Sequence, residues 1–415
     1  MRRGLLLSLL CFSLIGAVHA DDDPPPWNFD LYPGGNAEIS QLYSEEDGYG
    51  FEPATSAGHP NRFSMKLPDG NYRVTVRFGD RKAASHNTVK AEARRLMVED
   101  VSTRRGQFVE RTFVVNVRTP ELAAPPENAP GGSAVRLKSR EQNSATWDNK
   151  LTLEFLGSAH KVSALTIQPA DVPTIYLAGD STVTDQPTEP AASWGQMLPR
   201  FFSADVAVAN HAESGETLKS FLTELRLDKV LSTLRAGDWL LIQFGHNDQK
   251  AQWPQTYVEA ATTYRSYLRA YIAEAKRRGA TPILITSPER RNFDSTGHIV
   301  ESHGDYPEAV RAVAREDHIA LIDLHRMSKA FYEALGEQRA PLAFNDEGRD
   351  RTHHNNYGAY ELARMVVEGI RSADPKLAAH LAKDVQPFDP RRPDAPEKFG
   401  LAASGERSSV RPDGN

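Results

Sequence analysis

Ser181, in Gly179-Asp-Ser181, and the pair Asp350 and His353, in Asp350-Arg-Thr-His353, supply a hydroxyl, an imidazole and a carboxylate. A serine hydroxyl is a weak nucleophile until a neutral imidazole within hydrogen-bond reach takes its proton. A carboxylate beside that imidazole fixes its tautomer and stabilises the imidazolium that forms. A spacing of three puts Asp350 and His353 on one side of a helical turn, or of a loop closing into one, and favours His353 over His354. Each piece alone is ordinary: Gly-Asp-Ser is common in turns, and an Asp with a nearby His often starts a helix. Two further motifs lie between them, Asn210-His-Ala-Glu-Ser-Gly215 and Gly245-His-Asn-Asp248. A backbone N–H at Gly215 and the side-chain amide of Asn247 could converge on a developing oxyanion, although a turn glycine and a loop amide explain each position better in isolation. The chemistry the four together would do is acyl transfer from an ester.

The elements that must position these residues change character near residue 172. From Asp21 to Asp171, short runs such as Asn71–Phe78, Phe108–Val115 and Lys150–Phe155 alternate with period two between turn signals such as Pro68-Asp-Gly70. This predicts an antiparallel β-sandwich. The Pro- and Gly-rich stretch Thr119–Gly132 reads as a long loop within it. Beyond Val172, apolar strands at Thr174–Ala178, Val206–Ala209, Asp238–Phe244, Pro282–Thr286 and Ile319–Leu324 alternate with amphipathic segments. One of these carries Tyr257, Ala261, Tyr264, Leu268, Tyr271, Ile272 and Ala275 at helical spacing and stops at Gly279. The expectation is an α/β unit, a three-layer, doubly wound parallel sheet that binds ligands at the carboxyl ends of its strands. Ser181, Gly215 and Asn247 all follow such ends.

The blocks Gly179-Asp-Ser181, Gly215, Gly245-x-Asn247-Asp and Asp350-x-x-His353, in this order, resemble the SGNH, or GDSL-type, hydrolase superfamily. The longer strings Gly179-Asp-Ser-Thr-Val-Thr-Asp185 and Phe244-Gly-His-Asn-Asp-Gln-Lys250 are similar to its rhamnogalacturonan acetylesterase branch. The resemblance covers about residues 172–384. It implies a flavodoxin-like sheet, Ser181 as nucleophile, His353 as general base and then acid, and Asp350 as its orienter. It implies an oxyanion hole of the Ser181 and Gly215 N–H groups with the Asn247 amide. No cofactor or metal is implied. Branch members often carry Gly-Arg-Ser where this chain has Gly215-Glu216-Thr217, a departure that bears on the substrate rim. The N-terminal sandwich resembles the galactose-binding-like modules that often precede such esterases, with Trp27, Phe29, Tyr32 and Trp147 either contacting polysaccharide or packing.

The substrate implied is an acetylated plant cell-wall polysaccharide, with rhamnogalacturonan-type pectin first and acetylated xylan second. A polysaccharide-binding protein with a silent hydrolase fold is the reading from another class. Arg290 and Arg291 follow the fourth strand and are candidates to pair with a uronate carboxylate; Trp194 and Trp253 are candidate sugar-stacking walls, core packing being the competing reading. Thirteen histidines show no zinc-ligand spacing.

Arg2 and Arg3, the apolar run Leu5–Val18 and the small residues of Val18-His-Ala20 predict a signal peptide over 1–20, hence a secreted or periplasmic protein. No other stretch is apolar for long enough to cross a bilayer as a helix. The single cysteine, Cys11, lies in that segment, so the processed chain has no thiol chemistry. Losing Arg2 and Arg3 takes the net charge from −6 to −8, which gives no electrostatic footprint for nucleic acid. The domains expected are 21–171, 172–384 and, from its Pro, Arg, Asp and Gly content, a disordered tail over 385–415.

Overall fold

A computed structural model describes residues 25–32, 35–37, 40–53 and 61–413; the expected signal segment lies outside the described residues. Among them, the first nine strands are β1 (Trp27–Asp30), β2 (Tyr49–Phe51), β3 (Arg62–Lys66), β4 (Gly70–Phe78), β5 (Ser85–Ala91), β6 (Arg95–Thr103), β7 (Val109–Val117), β8 (Lys150–Ala159) and β9 (Val162–Pro169). They form two sheets, in orders β1-β9-β4-β7 and β2-β3-β8-β5-β6, with antiparallel neighbours. The period-two pattern is the cause: in β4 the residues Tyr72, Val74, Val76 and Phe78 all turn inward. They meet Phe63, Val89, Leu153 and Ile167 from the facing and neighbouring strands in one apolar core.

The second unit contains β10 (Thr174–Gly179), β11 (Ala191–Ala192), β12 (Ala207–Asn210), β13 (Trp239–Gln243), β14 (Thr281–Ile285), β15 (Ala320–Ile322) and β16 (His354–Asn355). Five of these make a parallel sheet in the order β12-β10-β13-β14-β15. Both faces are covered, so alternate residues of one strand enter different cores. Ile175 and Leu177 pack with the helices Leu324–Arg339 and Asn356–Ala373, whereas Tyr176 and Ala178 pack with Leu218–Thr223, Arg226–Thr233, Arg265–Arg277 and Tyr306–Glu316. The strand order reverses direction at β10, which opens a crevice at its carboxyl end. The helix expected from Tyr257 becomes α-helical only at Arg265, after a wider turn over Ala260–Tyr264, and Tyr257 is exposed. Its buried face is Leu268, Tyr271, Ile272 and Ala275, and it stops at Gly279 with φ +76°.

Buried ion pairs join the two units. Arg95 Nε meets Asp185 Oδ2 at 2.6 Å, Arg94 Nη2 meets Glu189 Oε1 at 2.7 Å, and Arg226 Nη1 donates to Glu141 Oε1 at 2.9 Å.

The tail differs from the expectation of disorder. Val385, Phe388, Phe399 and Leu401 pack on the α/β core, Tyr357 Oη donates to Asp394 O at 2.6 Å, and Ser404 is buried between Glu154 and Glu189. Its composition is too poor in apolar residues to form a core of its own. Partners supplied by both units compensate for that, and they are invisible in the tail's own sequence.

Candidate active site

Ser181 lies two residues past β10, in a turn held by Asp180. The Asp180 carboxylate accepts from Thr182 N at 2.9 Å, Thr182 Oγ1 at 2.8 Å and His246 Nδ1 at 3.3 Å. Burial opposes its charge, but His246 and Thr182 outweigh burial and hold its pKa below the usual value. Ser181 O accepts from Gln186 Nε2 at 2.8 Å, which ties down the other side of the turn.

His353 arrives from the far end of the unit. Its Nε2 stands 2.8 Å from Ser181 Oγ and its Nδ1 2.9 Å from Asp350 Oδ2. The Asp350 Oδ1 atom accepts the backbone N–H groups of Thr352 (2.8 Å) and His353 (3.0 Å). Asp350 is fully buried; desolvation raises its pKa, yet the bond and charge of His353 and the two N–H donors keep it well below the carboxylate range. A continuous line of hydroxyl, imidazole and ionised carboxylate results. His354 turns the other way: Tyr332 Oη is 2.8 Å from its Nε2, its ring lies against Tyr332 and Phe344, and burial lowers its pKa to about 3.

Gly215 follows β12 with φ +82°, and the nearest atoms to a Cβ placed there are 3.8 Å away, so conformation and not space calls for glycine. Among the described residues, no protein acceptor takes the N–H of Ser181 or Gly215. Asn247, after β13, accepts from Lys250 Nζ at 3.0 Å through Oδ1 and donates from Nδ2 to Glu216 O at 3.0 Å. Those two contacts settle which end of the amide is nitrogen and leave a second Nδ2 hydrogen for a ligand. Residues 181, 215 and 247 thus sit at the ends of three adjacent strands, on the crevice where the order reverses.

Residues 177–361 match the GDSL-like lipase/acylhydrolase family. The chain is 39% identical over 220 residues to the rhamnogalacturonan acetylesterase RhgT of Bacillus subtilis strain 168, covering 50% of this chain and 93% of that protein. The chain belongs to the GDSL-like lipase/acylhydrolase family. It is a carboxylic ester hydrolase of the rhamnogalacturonan acetylesterase-like kind. A longer likeness, 28% identical over 401 residues, links 88% of this chain to 96% of the uncharacterized esterase YxiM of the same bacterium. The crystal structure of the YxiM protein overlaps 84% of this chain and 98% of that one at 27% identity, with a TM-score of 0.48.

In this GDSL-like hydrolase the substitution at the second block has a structural cause. Glu216 is fully buried, where Lys138 Nζ contacts its carboxylate and Ser220 Oγ donates to it at 2.6 Å. Thr217 caps the next helix reciprocally with Ser220, at 3.0 and 2.9 Å. Both residues brace the Gly215 turn, and neither forms a substrate rim.

Of the three residues expected to touch sugar, Trp194 is placed otherwise, and Arg290 and Arg291 give part of their guanidinium donors to the fold. Trp194 is 1% exposed in the core, donating to Gln243 Oε1 at 2.8 Å, so it has no free face for a ring. Arg290 gives its guanidinium to the carbonyls of Ser302 (3.1 Å) and His246 (3.3 Å). Arg291 donates to Gly348 O and covers the Phe344 ring at 5.1 Å, bracing the loop that carries Asp350. The positions after the fourth strand were inferred from strand order alone, which says nothing of unsatisfied carbonyls nearby. Trp253, by contrast, is half-exposed under Lys250 Nζ, 4.2 Å from its ring centroid. In the sandwich, Phe29 is core, Trp147 is buried under Arg118, and Tyr32 donates to Gly79 O at 3.3 Å.

One cluster escaped the spacing argument for metals because its members come from separate segments. Glu289, Glu301, His303 and His325 offer ligand atoms within 4.8 Å of one another, a set with the donor types for a divalent cation. Arg311 Nη2 faces His325 Nδ1 at 3.4 Å, so that nitrogen is the acceptor and Nε2–H points at Glu289 (2.9 Å) and Glu301 (3.1 Å). That tautomer suits a hydrogen-bonded network, in which burial of the Glu289 carboxyl is outweighed by His303 and His325, which hold its pKa well below the usual value.

Proposed function

We propose that this protein is an exported serine esterase that removes O-acetyl groups from a pectic polysaccharide of the rhamnogalacturonan type. The observation that carries the proposal is the line from Ser181 Oγ through His353 to Asp350, at 2.8 and 2.9 Å, beside two strand ends with hydrogen-bond donors to spare. The substrate is carried from the name of the similar Bacillus enzyme. Export rests on the residues of segment 1–20. The N-terminal unit we read as a galactose-binding-like module docked on the catalytic unit.

The reaction runs in two halves. His353 Nε2 takes the Ser181 proton as Oγ attacks the acetyl carbonyl; the carbonyl oxygen becomes an oxyanion received by the N–H groups of Ser181 and Gly215 and the Asn247 amide. The bond to the sugar oxygen breaks, and that oxygen leaves with the proton from His353. Water then gives a proton to His353 while attacking the acetyl-serine. The Ser181 ester bond breaks, its oxygen recovers the proton, and acetate departs. Asp350 stays ionised throughout and stabilises the imidazolium.

Acetate release from acetylated rhamnogalacturonan and from acetylated xylan, with wild type and Ser181→Ala, tests the proposal. Release from the pectic substrate, lost in the variant, is expected. Faster release from xylan would overturn the substrate, and polymer binding without any release would make the protein a binding module.

A further inference from the structure

The segment that follows Ser404 is tied at three places around the reaction centre. Ser408 N donates to Glu189 O at 2.8 Å. Arg411 Nε and Nη2 donate to Asp346 Oδ2 at 3.1 and 3.0 Å, on the loop whose Asn345 N donates to His353 O at 2.9 Å. Asp413 then contacts Arg140 Nη1, and its Cβ lies 3.9 Å from where a Gly215 side chain would begin. The segment therefore runs from the His353 side of the site to the Gly215 side. A cavity of about 500 Å³ lies there, with Lys138, Arg140, Gly215, Trp253, Arg411 and Asp413 in its wall.

Arg140 comes from the N-terminal unit and is aimed before anything binds. Its Nε donates to Glu213 Oε1 at 2.9 Å and its Nη2 to Ser214 O at 2.7 Å, which fixes the plane of the guanidinium and turns Nη1 toward Asp413. Lys138 Nζ, donating to Ser214 O at 2.8 Å and paired with the buried Glu216 carboxylate, is a further donor beside Gly215. Trp253 provides a half-exposed indole in the same wall, the combination that receives a sugar ring by stacking and its carboxylate by a charge-assisted bond. Arg290 and Arg291 give guanidinium donors to the main-chain carbonyls of Ser302, His246 and Gly348 and lie outside the wall of this cavity.

We infer that Arg140, with Lys138 and Trp253, forms a subsite for the carboxylate of an acidic sugar next to the reacting acetyl group, and that the Asp413 carboxylate fills this subsite as an internal surrogate until substrate displaces the segment. The inference deepens the proposed function and rests on it for the nature of the sugar. It gives the N-terminal unit a direct part in choosing substrate.

The test uses the full chain with Ser181→Ala, so that nothing is turned over, and non-acetylated oligogalacturonide as the probe in calorimetry, with neutral xylooligosaccharide as control. Adding Asp413→Asn should tighten oligogalacturonide binding roughly tenfold, and adding Arg140→Ala should weaken it by roughly tenfold or more, the worth of one charge-assisted bond. Both effects should shrink with added salt. Unchanged oligogalacturonide affinity in the Asp413→Asn protein, or equal shifts for the neutral oligomer, would overturn the inference. Arg140→Ala also frees Glu213, so if that protein fails to fold, Asp413→Asn alone decides. A wild-type chain that binds oligogalacturonide through Arg140 but releases no acetate from acetylated rhamnogalacturonan would defeat the substrate reading and leave the subsite standing. Acetate release with both variants binding like Ser181→Ala alone would defeat only the subsite.

Discussion

Strand β10 is buried at all six of its residues, whereas β4 of the sandwich buries every second one. A strand covered on both faces can present chemistry only at its ends, and the α/β unit places Ser181, Gly215 and Asn247 there. A sandwich strand has one face to spare, yet this sandwich meets the site through the loop residues Lys138 and Arg140 and through the ion pairs of Arg94 and Arg95. The difference separates the proposed reaction centre, fixed by the sheet, from the surroundings proposed to select substrate, which draw on both units and the tail.

That separation breaks most visibly at the triad. Ser181→Ala or His353→Ala should lower kcat by about 10⁴- to 10⁶-fold, because the groups act as a unit, with thermal unfolding unchanged within a few degrees. A residual rate near wild type would locate the chemistry elsewhere. Next in size, Arg95→Ala leaves Asp185 buried without its cation and should cost about 3–5 kcal/mol of stability; denaturant unfolding of the purified variant measures it. A loss under about 1 kcal/mol would mean the units are held by other contacts. Asn247→Ala should reduce kcat by about 10²–10³-fold with a smaller change in KM, and a pure KM effect would remove Asn247 from the oxyanion hole.

The smallest effect concerns Asp248, which joins the second and third blocks by accepting from Leu218 N at 2.9 Å. Burial raises its pKa to about 8. The folded protein therefore keeps a proton that the unfolded chain gives up near pH 4, and stability falls as pH rises between those values. Asp248→Asn removes this dependence, so its melting temperature should gain on wild type between pH 5 and pH 8. A constant difference across that range would show that Asp248 is ionised in the fold.

The proposed reaction centre was legible because its residues sit in short strings at strand ends, where local sequence and local structure coincide. Asp350 and His353 are a local pair, and only their approach to Ser181 required the fold. Trp194 was misplaced because an indole reads the same in sequence whether it faces a sugar or a core. The order of residues 385–413 was hidden because their partners, such as Glu154, Glu189, Tyr357 and Asp346, are far away in sequence. Glu289, His303 and His325 likewise meet only through tertiary structure.

The reversal of strand order at β10 makes the sheet a ruler for the reaction. Neighbouring strands lie about 4.8 Å apart, so the three termini span roughly 10 Å, and inserting one residue in β13 would push Asn247 about 3.3 Å outward. The catalyst's dimensions are inherited from backbone pitch, so a register slip of one residue would harm it more than many side-chain exchanges around its rim.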